Sequence, residues 1–235
     1  MRKVRQRRAA AAVFGAAAVV ALTAPAPPAS AAPAASAAST TVRTGSATAD
    51  PYSGNVRALL LGSATMSTAA SSGSCTEATL TGSVRSDGGG LSVGEVVFST
   101  GGGPCTGSAP ATITGANLPW TGGSIAFDPA RTGGRDGTAT FAGFSARVVV
   151  SLGGATVTCV YGADVVADAY NRDNASRPVP DDDQTQLRLR DAKILKQAGS
   201  DPGCPPDGTY NATYRLLGER TAGSGTFDQP LYVTG

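Results

Sequence analysis

The chain offers few residues able to do chemistry, because it contains no histidine. A serine or cysteine nucleophile has no imidazole to take its proton, and a metal site would have to use oxygen or sulfur alone. Gly90-Leu91-Ser92-Val93-Gly94 matches the G-x-S-x-G elbow. That motif needs a strand-turn-helix setting and a histidine base. Here a glycine turn runs into a strand pattern, so Ser92 reads as a strand serine. No S-x-x-K supplies a lysine base instead.

Carboxylate chemistry needs no histidine. Glycoside hydrolysis uses two acids flanking the bond, one kept protonated by its surroundings. Asp164 and Asp168, in Ala163-Asp164-Val165-Val166-Ala167-Asp168, would share one face of a strand and form the candidate pair. A solvated sheet face is the plainer reading. Asp181-Asp182-Asp183 could collect a hard cation such as calcium, but it lacks the spacing of an EF-hand loop. A solvated loop after Pro180 explains it as well. Arg188, Arg190, Lys193 and Lys196 are the local basic cluster. Asp191 offsets them, and little aromatic interleaving is present for bases to stack upon, so no nucleic-acid partner is expected. Neither a metal nor a cofactor is expected. Asn174 and Asn211 open glycosylation sequons that read as incidental.

Trp120 is the single tryptophan, set between Asn117-Leu118-Pro119 and Thr121-Gly122-Gly123. On a loop between strands, Trp120 with Asn117 beside it could contact a sugar or a protein. The competing reading is a core or barrel-end plug, since β-sandwiches commonly bury one tryptophan against a disulfide. Tyr52, Tyr161 and Tyr170 divide in the same way, with burial favoured for Tyr161 beside Cys159.

Four cysteines, Cys75, Cys105, Cys159 and Cys204, are an even set with no C-x-x-C knuckle. In an exported chain that predicts two disulfides rather than zinc. Three pairings are open. Cys75–Cys105 with Cys159–Cys204 is favoured, because each bond would staple a local strand group.

The elements that must position these residues read as strands. After Tyr52 the dominant signal is period-two alternation between glycine- and proline-rich breaks such as Asp87-Gly88-Gly89-Gly90 and Gly101-Gly102-Gly103-Pro104. Thr138 to Val150 is long enough to bend or carry a bulge at Gly143. Gln184 to Gln197 is ambiguous: Leu187 and Leu189 alternate like a strand, while Leu187, Arg190, Asp191, Ile194 and Leu195 could follow a helix. The strand is favoured. About ten short strands predict an all-β fold, an antiparallel sandwich or barrel, with the sandwich slightly preferred.

Residues 1–31 read as a secretory signal peptide. Arg2, Lys3, Arg5, Arg7 and Arg8 precede an apolar stretch from Ala9 to Ala24 and the cleavage-like Ala29-Ser30-Ala31. That stretch is alanine-rich and shorter than the roughly 20 apolar residues of a membrane span. Removing it leaves fourteen bases against seventeen acids, a net charge of −3 in place of +2. Residues 32–51 read as a flexible Ala/Ser/Thr/Pro leader, and 52–235 as a single β-domain. The expectation is a secreted, extracellular protein with no membrane anchor once the signal is gone.

Several pieces stand in one order along the chain: Cys75-Thr76-Glu77-Ala78-Thr79-Leu80-Thr81-Gly82, Leu118-Pro119-Trp120, Cys159-Val160-Tyr161, Ala212-Thr213-Tyr214 and Leu231-Tyr232-Val233. In these the chain resembles uncharacterised secreted β-rich proteins of actinobacteria. The resemblance implies an exported, disulfide-bearing β-protein and carries no activity or site residues. The expected function is non-catalytic binding of an extracellular or cell-envelope ligand, whether glycan, protein or small apolar molecule. The alternatives are a carboxylate-dependent glycan hydrolase and a structural envelope protein.

Overall fold

The computed structural model describes residues 39–235. The expected signal peptide and the start of the leader lie outside them. The described chain is almost entirely strand. The strands are β1 (Thr41–Thr44), β2 (Gly54–Leu60), β3 (Ala64–Thr68), β4 (Ser72–Cys75) and β5 (Glu77–Val84). They continue with β6 (Leu91–Ser99), β7 (Thr106–Gly107), β8 (Ala111–Gly115), β9 (Trp120–Phe127) and β10 (Gly137–Leu152). The last four are β11 (Ala155–Tyr170), β12 (Thr185–Lys196), β13 (Asp207–Glu219) and β14 (Phe227–Thr234). Fourteen strands replace the ten expected, partly because Val56 to Met66 divides at Leu61–Ser63 into β2 and β3.

The architecture is a closed antiparallel barrel, not the sandwich slightly preferred from sequence. Its staves run β12-β11-β10-β8-β6-β5-β2-β13, and β12 pairs β13 to shut the ring. The disulfides therefore do not divide two strand groups; they staple one continuous sheet. Cys75–Cys105 joins β4 to the turn before β7, and Cys159–Cys204 joins β11 to the β12–β13 loop. Residues 41–44, expected within the leader, instead form β1, which pairs β14 from Thr41. Val42, Leu231 and Val233 are buried in the core with it.

Alternation sets the inside and the outside. On β11, Val165, Ala167 and Ala169 are buried while Asp164 and Val166 are exposed. On three long strands the phase flips at a bulge. Leu91 and Val93 give way to Val96 and Phe98 on β6, with Gly94 exposed between them. Ala139 and Phe141 give way to Phe144, Ala146 and Val148 on β10. Leu187 and Leu189 give way to Ile194 on β12. An extra residue turns the following side chains to the opposite face and sharpens the strand's coil, which ring closure requires. The helix-like spacing in Gln184 to Gln197 is this phase flip.

Side chains fill the barrel. Trp120 lies 4.9 Å from Phe144 between ring centroids, and Phe144 lies 5.4 Å from Tyr210. Phe98 meets Tyr210 edge-on at 6.5 Å. Two gaps inside it, among the described residues, measure about 20 and 10 Å³, roughly the room of a single water.

Candidate functional site

One stave of the barrel is broken, and the break makes a groove on the outer wall. β8 and β9 lie end to end between β10 and β6: β8 pairs Ala146–Val150 of β10, and β9 pairs Gly137–Thr140. Residues 116–119 leave the sheet between them. Asn117 sits at φ 55° and the Leu118–Pro119 peptide is cis. The segment is held to β10 on both sides of the break. Ala116 N–H donates to the Ser145 carbonyl at 2.9 Å, and the Asn117 amide reaches Ser145 Oγ at 3.4 Å. Trp120 Nε1–H donates to the Ala116 carbonyl at 2.8 Å.

Opposite the break, β10 carries its bulge between Phe141 and Phe144. Gly143 takes φ 71° there, and its N–H donates to Asp164 Oδ1 at 2.7 Å. Gln197 hangs over the same place, its amide donating to the carbonyls of Gly162 and Leu195 at 3.1 Å each. The result is an open groove of about 380 Å³. Its polar lining is Asn117, Thr121, Ser145, Asp164 and Gln197, and its apolar lining includes Pro119, Ala142 and Trp120.

Both residues expected at a ligand, Trp120 and Asn117, line this groove. Their roles differ. Asn117 is exposed, whereas Trp120 is only 2% exposed with its ring packed on Phe144. The indole is therefore part of the packed wall and not a stacking platform. Ser145 and Gln197 escaped sequence reasoning. The glycine in the middle of a long strand was the available signal, since a bulge there had to re-aim its neighbours.

The other candidates are put to structural use. Asp164 and Asp168 do share the outer face of β11, but Asp168 pairs Arg135 at 3.0 Å, which also holds Asp128 at 2.9 Å. Ser92 lies within β6, its hydroxyl 3.0 Å from that of Ser83. Asp182 pairs Arg215 at 3.1 Å and Asp183 pairs Arg172. Among the described residues no three metal-ligating side chains cluster. Lys196 caps the loop carbonyls of Asp201, Pro202 and Cys204, and Lys193 faces Asp207. Asn174 is buried, donating to the almost fully buried Asp136 at 2.7 Å. Tyr52, Tyr161 and Tyr170 are all buried, and burial raises the phenols of Tyr52 and Tyr161 above their ordinary value.

The barrel faces are apolar within and largely polar without, the reverse of a lipid-embedded barrel. Among the described residues no helix is long and apolar enough to cross a membrane. The two disulfides fit an oxidising, non-cytoplasmic compartment. No known protein family, curated protein or solved structure matches the chain.

Proposed function

We propose that the protein is a secreted, non-catalytic β-barrel that binds an uncharged extracellular glycan in the wall groove. The observation that carries this reading is the make-up of the groove. Carboxamides, hydroxyls and one carboxylate line it beside a proline, an alanine and the tryptophan. Sugars present the matching pattern, with hydroxyls around the rim of the ring and C–H groups on its faces. Among the described residues Asp164 is the single carboxylate lining the groove, whereas hydrolysis by acid pairs needs a second one across the bond. The filled interior argues against the small apolar ligand. Export is supported by the basic and apolar N-terminal segment and by the two disulfides, and the actinobacterial resemblance agrees with it.

Trp120 is the only indole, so its emission reports on the groove without assignment. Tetrasaccharides of glucose, N-acetylglucosamine, xylose and mannose would be titrated against it. At least one should give a saturable change, and Gln197→Ala should weaken binding about tenfold, as expected for losing roughly 1.4 kcal/mol of hydrogen bonding. A folded protein giving no saturable change with any of them would overturn the reading.

A further inference from the structure

A second groove of about 480 Å³ lies on the outer wall, where β2, β5 and β6 run side by side against the start of β14. Glu95, Thr81 and Arg57 occupy one row of it. Thr81 pairs Glu95 on β6 and Arg57 on β2, so all three side chains stand on the outward face. Two strand spacings separate Glu95 from Arg57, about 10 Å of backbone.

Arg57 is the one cation lining this groove among the described residues. Its guanidinium lies over the Phe227 ring, 4.0 Å from the centroid. Its Nε is buried without a hydrogen-bond partner. Among the described residues Arg57 has no carboxylate within 4.0 Å, a condition it shares with Arg43, Arg147, Arg177, Arg188 and Arg190. Its orphaned Nε is matched by those of Arg43, Arg177 and Arg215. Glu219 lines the same groove and its charge attracts Arg57 through space, but its oxygens are taken by the N–H groups of Gly223 and Gly225 and by the Asn55 amide. The aromatic ring thus orients a planar cation that no carboxylate oxygen contacts directly. A guanidinium so oriented has lost much of its rotamer freedom before any ligand arrives, which favours a bidentate oxoanion.

The rest of the groove narrows the ligand. Ser83 and Ser92 share one hydrogen bond at 3.0 Å, so one hydroxyl proton of the pair is left to donate outward. Glu95, exposed at the far end, accepts hydroxyl protons and repels a second anion. We infer that the Arg57–Phe227 pair is an anion-binding site for the carboxylate of an acidic sugar, whose next residue offers hydroxyls to Ser83, Ser92 and Glu95. This site is separate from the groove at Asp164 and does not depend on that groove binding anything.

The probe is a trisaccharide with one terminal galacturonate on two neutral galactoses, set against the galactose trisaccharide of equal length and a short peptide with a free C-terminus. Binding is read by calorimetry and by the Arg57 Nε–H signal in NMR. The acid sugar should bind and shift that signal, and affinity should fall as salt is raised. Arg57→Gln should weaken it at least tenfold, and Arg57→Lys several-fold, because an ammonium cannot present the planar fork. Phe227→Leu should also weaken it several-fold, and Gln197→Ala should leave it unchanged. Equal binding of the neutral sugar, binding of the peptide alone, or no binding by the folded protein would each overturn the proposal. Full affinity in folded Arg57→Lys would do the same.

Discussion

Glu219 ties one end of the barrel together through a single carboxylate. Gly223 and Gly225 N–H donate to it at 2.8 Å each, and the Asn55 amide donates at 3.0 Å. The Gly223 N–H is the largest influence holding its acid below the ordinary glutamate value of 4.5. Tyr52 completes the anchor: its hydroxyl accepts the Glu219 N–H at 2.9 Å and donates to the Asn55 carbonyl. The ring lies so close to Gly218 that a Cβ there would stand 2.6 Å from it. The sign of the pH dependence follows from the lowered value. Above pH 4.5 the carboxylate is ionised in both folded and unfolded chains, and its stabilisation is fully present. As pH falls below 4.5 the unfolded chain takes up a proton that the folded one resists, so the stabilisation is lost progressively. Glu219→Gln should therefore be less stable than the parent at pH 7, with a smaller deficit at acid pH. Urea midpoints measured in steps from pH 7 to about pH 3 check this; parallel curves would refute the assignment.

The bulges are the elements that shape the wall. On β10 the extra residue at Ala142–Gly143 lets Phe141 and Phe144 both face inward, which period two alone forbids. The same bulge presents the Gly143 N–H to Asp164 and opens the groove beside Asn117. A Cβ at Gly143 would meet nothing within 4 Å, so the demand for glycine comes from its φ of 71° and not from crowding. Gly143→Ala should cost about 1–2 kcal/mol, the penalty of a side chain in the left-handed region. Gly82 is the contrasting case, since a Cβ there would stand 1.8 Å from the Ser92 carbonyl. Chemical denaturation of Gly143→Ala measures the first figure. A loss well above 2 kcal/mol would mean that the bulge itself had collapsed.

Across the whole molecule, ring closure joins residues far apart in the chain, and the disulfides offset part of the resulting loop entropy. The bonds span 30 and 45 residues. On the chain-entropy account such loops contribute about 3.5 to 4 kcal/mol each. The Cys159→Ser, Cys204→Ser pair of substitutions should accordingly lower the thermal midpoint by roughly 10 °C. Calorimetry checks it. An unchanged midpoint would show that the loop from Gln197 to Pro206 is held by Tyr161, Lys196 and Ser200 without help from sulfur.

Much of this was legible in residue order. Alternation with glycine and proline breaks marks an all-β chain, the even cysteine count marks two bridges, and proximity picks their pairing, because those signals are local. The bulge at Gly143 was legible for the same reason. Closure was not: a sandwich and a barrel place the same residues inward, and only the pairing of β12 with β13 separates them. Nor was the fate of Asp164 and Asp168, whose shared face was readable while Arg135, the cation that pairs Asp168, comes from 33 residues away. The groove belongs to tertiary structure for the same physical reason. Asn117, Ser145, Asp164 and Gln197 are scattered over β8–β9, β10, β11 and the end of β12, and only the broken stave facing a bulged one brings them together.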